Sequence, residues 1–167
     1  MGETMSDFTE LLIQKKSRKK PKAGDVFSLR IKDDLYYYGK VIKTEIESTN
    51  VFLRGWNLVH IYDHSTSKLI EPSEINLINQ SLILPPVVTN NKGWIDGYFF
   101  TVGSIHVIQK DLSIDYGFWD DIKKIYRLEG GETINRVPKL ITDYALVSYG
   151  GIGRALIKIM NKEEHNL

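Results

Sequence analysis

The stretch PKAGDVFSLRIKDDLYYYGKVI, residues 21–42, decides the fold class. Phe27, Leu29 and Ile31 alternate with polar residues, a period of two that predicts a half-buried strand. Residues 32–34 predict a turn. The following run at 35–46 is rich in aromatic and β-branched residues, which predicts a second strand. We therefore expect a β-hairpin at the start of the folded part.

Three consecutive tyrosines on the second strand raise a question about their orientation. Side chains alternate across a strand, so Tyr36 and Tyr38 share one face and Tyr37 lies on the other. The triplet therefore cannot all face one core, and we predict that Tyr36 and Tyr38 face outward. Gly39 in mid-strand predicts a bulge or bend, as a small barrel needs.

The rest of the chain also favours strands, until the last segment. The strand-like runs are residues 51–62, 82–88 (an edge strand at most), 97–102, 122–128 and 144–148. Apolar residues then recur at 152, 155, 156, 159 and 160, which predicts an amphipathic helix. The predicted fold class is α+β, mainly antiparallel β, with a small, strongly bent SH3-like or barrel-like sheet and a C-terminal helix.

Charge divides the chain into two parts. Residues 15–22 hold six of the 22 basic residues, whereas residues 23–167 hold 16 basic and 18 acidic residues. We expect residues 1–20 to form a flexible basic leader, in which Ser6 could cap a short helix. Residues 21–165 are expected to form a single globular domain. A basic run of this kind can also bind polyanions.

Composition favours a cytoplasmic protein. There is no cysteine, which excludes disulfides and thiolate metal sites and suits a reducing compartment. No stretch approaches the 18 or so apolar residues that a membrane span needs, and we expect no secretory signal.

Catalytic and metal-binding patterns are weak. His60 and His64 lie on a predicted strand, where they would be roughly 13 Å apart, too far to bind one ion. The glycine-rich run at 148–154 matches neither phosphate-binding pattern and predicts a strand-to-helix turn. No serine or aspartate pair has the spacing of an acid, base and nucleophile. We therefore expect no enzyme, cofactor or metal site.

Two kinds of partner remain open. Nucleic-acid binding would depend on the basic segment at 15–22, because aspartates flank the tyrosines; it is the less favoured alternative. Protein contact is favoured, since tyrosine and tryptophan give large contact area at low entropic cost. The candidate partner-binding residues are Asp33, Asp34, Tyr36, Tyr38 and Trp56, with Asp120 and Asp121 as a second patch.

Several motifs resemble one known family. GDVFSL at 24–29 and YYYGKVI at 36–42 resemble the opening of the immunity protein 26 family of bacterial polymorphic toxin systems. Trp94, FWD at 118–120, YRLEGG at 126–131 and the closing YALVSYGGIGRALIKIM at 144–160 are similar in kind. The resemblance implies a non-enzymatic cytoplasmic antidote that binds a cognate toxin and blocks it by occlusion.

Overall fold

The computed structural model describes residues 11–74 and 77–165. The helices and strands, in chain order, are β1 (Asp25–Lys32), β2 (Leu35–Lys43), β3 (Asn57–Thr66), β4 (Val87–Thr89), α1 (Lys92–Ile95), β5 (Phe99–Ser104), α2 (Gln109–Leu112), β6 (Tyr116–Asp120), β7 (Ile125–Arg127), β8 (Thr133–Ile134), β9 (Leu140–Asp143) and α3 (Tyr149–His165). Two 3-10 turns, Pro72–Glu74 and Leu77–Asn79, lie between β3 and β4.

The strands form two open sheets. The larger sheet is antiparallel throughout, in the order β4-β3-β2-β1-β5. The smaller sheet has the order β8-β7-β6-β9, in which β6 and β9 run parallel. The predicted class, α+β with mainly antiparallel strands and a C-terminal helix, is confirmed, although neither sheet closes into a barrel.

Both faces of the larger sheet are covered. On one face Phe27 packs against Trp94 and Phe99, with ring centroids 5.0 Å away in each case. Ile152 and Leu156 of α3 complete this cluster and are fully buried. On the other face Val26, Tyr38, Tyr62 and Leu77 form a second cluster. A third cluster, around Leu58 and Phe118, joins the two sheets.

The glycine in the middle of β2 is required by a close approach. A Cβ on Gly39 would lie 2.4 Å from Cζ of Phe27 and 2.9 Å from Cδ1 of Ile61. The register of the β2–β3 ladder shifts between Tyr37 and Tyr38, next to the predicted bulge.

The segment before β1 is packed against the domain from Leu11 onward. Leu11 is buried in the cluster beneath α3, and the backbone N–H of Leu12 donates to the carbonyl of Arg30 at 2.8 Å. The Gln14 amide nitrogen donates to the carbonyls of Ser28 and Tyr98, and the Ser17 N–H donates to Trp94. Residues 11–17 thus differ from the flexible leader expected over 1–20, because an apolar side chain and backbone hydrogen bonds hold them. The helix expected from Ser6 falls largely outside the described residues.

Several strand boundaries differ from those predicted. Residues 51–55 form a turn, so the third strand begins only at Asn57. Residues 121–124 form another turn, before β7. Residues 144–148 lie outside the strands, although Leu146 bridges Val88. In the first two cases apolar residues that we predicted to be in strands lie on exposed turns, because local turn hydrogen bonds replace ladder bonds.

Candidate functional site

A tight turn between β2 and β3 exposes two apolar side chains. The Asn50 carboxamide oxygen accepts the Phe52 N–H at 2.9 Å, and the Asn50 carbonyl accepts the N–H groups of Leu53 and Arg54. The Leu53 side chain is completely buried and anchors the turn. Val51 and Phe52 therefore point away from the core, 65% and 72% exposed.

A second tight turn joins β6 and β7. The Asp120 carboxylate accepts the N–H groups of Ile122 and Lys123, at 3.0 and 3.1 Å. The Asp120 carbonyl accepts the N–H of Lys124, which has a left-handed φ of 57°. These bonds hold Ile122 at the apex of the turn, where it is 90% exposed.

The two turns lie side by side at one end of the molecule. The Thr49 N–H donates to the carbonyl of Gly130 at 3.1 Å, which ties the first turn to the segment after β7. A cavity of about 280 Å³ lies between the turns, lined by Thr49, Asn50, Asp120, Ile122, Lys123, Arg127 and Tyr144. We call the exposed group Val51, Phe52, Asp121 and Ile122 the tip surface.

Charges beneath the tip surface are fixed by hydrogen bonds. The Arg127 guanidinium donates to Asp120 at 2.9 Å, lies over the Tyr144 ring and donates to the carbonyl of Gly131. The hydrogen bond from Arg127 lowers the pKa of Asp120 below its usual value, with further help from the N–H of Lys123. Hydrogen bonds from Lys124 and Trp119 likewise lower the pKa of Asp121. Both carboxylates are therefore ionised at neutral pH, and Asp121 remains 78% exposed.

Three of the predicted partner-binding residues lie at this end of the molecule. Trp56 is half-buried against the Leu58–Phe118 cluster, and its carbonyl accepts the Ile46 N–H at the base of the first turn. Asp120 supports the second turn, and Asp121 is exposed on it. The structure thus groups Trp56 with Asp120 and Asp121, although the sequence analysis assigned it to the first patch.

Asp33, Asp34 and Tyr36 lie at the opposite end of β2. The nine residues of β2 span roughly 25–30 Å, so this group cannot share one small surface with the tip. Both aspartates are exposed on the β1–β2 turn, and the Asp33 carbonyl accepts a bond from Arg30. The same guanidinium lies 5.4 Å from the centroid of the half-buried Tyr36 ring.

The prediction that Tyr38 faces outward is wrong. Its side chain is fully buried, and its hydroxyl lies 2.7 Å from the Thr66 hydroxyl and accepts the Ile70 N–H at 3.2 Å. The alternation itself is correct, since Tyr37 packs on the opposite face of the sheet. The error arose because residues far along the chain, Tyr62 and Leu77 among them, cover the second face.

The sequence analysis missed the exposed apolar members of the tip surface. Val51 and Phe52 were assigned to a strand, as was Ile122. Asn50 before the first pair and Gly55 after it are turn residues, and Asp120 precedes Ile122 by two positions. Asn and Asp side chains often accept hydrogen bonds from backbone N–H groups in tight turns, so Asn50 and Asp120 could have identified both turns.

In the ranges 11–74 and 77–165, no three His, Asp or Glu side chains are arranged to hold a metal ion. His60 is buried in β3, and neither ring nitrogen has a hydrogen-bond partner within the part of the chain that the structure describes. Over the same ranges, no helix combines the length and apolarity needed to span a bilayer.

Comparison with known proteins gives one family. A family model described as Immunity protein 26 matches residues 22–127, more than half of the chain. Comparisons with curated proteins and with solved structures gave no significant match.

Proposed function

The chain belongs to the immunity protein 26 family, and from that premise we propose that it binds a cognate bacterial toxin in the cytoplasm and neutralises it by steric occlusion. An immunity protein has a toxin as its partner in general. Occlusion needs a rigid contact surface and no catalytic group. The observation that carries the proposal is the tip surface, on which apolar side chains are displayed by hydrogen-bonded turns.

Exposed apolar side chains on ordered turns are suited to protein contact. Burying a Phe or Ile side chain contributes about 1.5–3 kcal/mol, and a preformed turn loses little entropy on binding. Phe52 and Ile122 supply two such anchors, and the exposed ion pair between Asp121 and Lys124 beside them offers polar groups for the rim of a contact. Trp56 and Asp120 support these anchors from below, which gives both predicted residues a positioning role.

The opposite end of β2 remains the other predicted contact patch. Asp33, Asp34 and Tyr36 form an exposed acidic turn with a half-buried ring. This patch lacks a strongly exposed large apolar side chain, which is why we favour the tip surface.

The experiment uses the toxin domain encoded beside this gene. Its binding to the full chain is measured by calorimetry, together with protection of growing bacteria from the toxin. We expect the double substitution Phe52→Ala and Ile122→Ala to weaken binding by roughly 30-fold or more, since a single contact hot spot contributes about 2 kcal/mol. The matched control is Val137→Ala, which removes an exposed apolar side chain (68% exposed) at the far end of the smaller sheet.

Two results distinguish an error in the proposed function from an error in the proposed contact surface. If the unaltered chain neither binds nor protects against the adjacent toxin domain, the proposed function is wrong. If the unaltered chain binds and protects, and the double variant does so as well as Val137→Ala, the tip surface is not the contact surface. The double substitution Asp33→Asn and Tyr36→Ser then tests the other patch. The melting temperatures of the double variant and of Val137→Ala should agree with that of the unaltered chain within a few degrees, because the side chains substituted in these two variants are exposed.

A second candidate function is the binding of a polyanion such as single-stranded nucleic acid. Lys15, Lys16, Lys19 and Lys20 line a cavity of about 240 Å³ beside the edge strand β5, together with Phe100 and Thr101. Lysines beside a half-buried aromatic ring are the elements of a stacking site with a positive groove, which favours this candidate over a mobile tail.

A further inference from the structure

A cavity on the larger sheet's second face lies far from the tip surface. Its volume is about 370 Å³, within the usual range for small-molecule pockets. The walls are largely apolar and come from β3, the second 3-10 turn, the segment after α2 and the start of β9. The apolar lining residues are Tyr62, Leu77, Ile78, Leu82, Ile114 and Leu140.

One polar group in this wall lacks a partner. Tyr62 lines this cavity with only 3% of its surface exposed, and its hydroxyl makes no hydrogen bond within the part of the chain that the structure describes. Burial, reinforced by the nearby Asp111 carboxylate, raises the pKa of Tyr62 above its usual value. The hydroxyl therefore keeps its proton and can act as a donor. The hydroxyl oxygen is reachable from the cavity, so it can donate to water or to a bound ligand.

The charges around the cavity leave a positive excess. Asp111 is paired with the buried Lys40 at 2.9 Å, and Asp115 is paired with Arg136. Lys110 donates to the carbonyl of Ile78 at 2.6 Å, which leaves its charge uncompensated, and Lys139 makes no ion pair among the described residues. The groups around the cavity are thus four cations, Lys40, Lys110, Arg136 and Lys139, and two carboxylates, Asp111 and Asp115, a net excess of two positive charges.

We propose that this cavity binds a small amphipathic anion, an apolar chain or ring carrying one carboxylate. The apolar body would fill the space between Leu82, Ile114 and Leu140. The carboxylate would accept a hydrogen bond from the Tyr62 hydroxyl or lie against Lys139 and Lys110. Two sources share this chemistry, a free aliphatic acid and the C-terminal residue of a peptide with an apolar side chain.

The test titrates the full chain with three probes of equal length: octanoate, octan-1-ol and octylamine. Backbone amide shifts in ¹H–¹⁵N spectra report the site. We expect octanoate to shift amides at residues 82, 114 and 140, and to bind about tenfold more tightly than octan-1-ol, because only the acid makes charge-assisted hydrogen bonds. A peptide ending in Leu-Leu, with and without C-terminal amidation, distinguishes the second source: amidation should abolish peptide binding at this site.

Variants locate the binding within the cavity. Tyr62→Phe removes only the hydroxyl, and Lys139→Gln only the charge; each should weaken octanoate binding three- to tenfold and leave octan-1-ol binding unchanged. Lys158→Gln on the distant face of α3 is the matched control for charge. Octylamine binding as tightly as octanoate, or no amide shift in the cavity with any probe, would overturn the proposal. A Tyr62→Phe variant that keeps full octanoate affinity would exclude the hydroxyl as a ligand.

Discussion

A buried histidine makes the stability of this protein depend on pH. His60 in β3 is 1% exposed and neither ring nitrogen has a hydrogen-bond partner among the described residues. Burial is the main reason that its pKa falls from 6.5 to about 4; Asp111 opposes the shift and the adjacent Lys40 adds to it. The native state therefore keeps this ring neutral where an unfolded chain would protonate it.

The sign and size of the effect follow from the two pKa values. Between about pH 6.5 and 4 the unfolded state binds more protons at this position than the native state, so the free energy of unfolding falls as the pH falls. The fall in the pKa of His60 from 6.5 to about 4 corresponds to a loss of about 3 kcal/mol in the free energy of unfolding between pH 7.5 and pH 4. Above pH 7 the group contributes no pH dependence, because it is neutral in both states.

Urea unfolding of His60→Leu and of the unaltered chain, at pH 7.5, 6.5, 5.5 and 4.5, measures this contribution. Subtracting the two curves removes the carboxylates that titrate in the same range. We expect His60→Leu to be as stable as the unaltered chain at pH 7.5 or more so, since leucine leaves no unpaired ring nitrogen, and to gain relative stability at lower pH. The control His106→Gln removes an exposed histidine in place of the buried one. Parallel curves for the unaltered chain and His60→Leu would refute the reasoning.

Three other predictions concern the sheet and the basic segment. Tyr38→Phe should lower the free energy of unfolding, measured in urea, by about 1–3 kcal/mol, because the Ile70 N–H loses its acceptor. Tyr36→Phe should change it by less than about 0.5 kcal/mol. Equal losses in the two variants would contradict the difference in burial. Gly39→Ala should lower stability by about 1–3 kcal/mol or more, since its Cβ would overlap the Phe27 ring, and an unchanged melting temperature would show that the ring can move away. If the four lysines beside β5 contact phosphates, a plot of log affinity for single-stranded DNA against log salt should have a slope of about −3, lost when all four are changed to glutamine; a flat slope before substitution would exclude that candidate.

Local patterns in the sequence were sufficient for most of the fold class. The alternation in residues 27–31 and the apolar spacing from Ile152 to Met160 are local signals, and both elements are present in the structure. Which face of the sheet is covered is not a local property. Tyr38 is buried in part by Tyr62 and Leu77, 24 and 39 positions away, so alternation gave its direction correctly and its exposure wrongly.

The candidate site was harder to predict than the fold, because it joins two turns from different sheets. Trp56, Asp120 and Asp121 were identified as separate candidates, and only the packing between sheets brings them to one end of the molecule. Phe52 and Ile122 are of residue types with high strand propensity, so we predicted that they lie in strands. Their exposure follows from hydrogen bonds to Asn50 and Asp120, which outweigh strand propensity at these positions.

The docked segment before β1 has a practical consequence for anyone producing fragments of this protein. A fragment cut at the limits of the family match, residues 22–127, would lack Leu11 and also Ile152 and Leu156. It would leave the Phe27, Trp94 and Phe99 rings open to water along one side. We expect such a fragment to aggregate, so the boundaries of sequence similarity are narrower than those of the unit that folds.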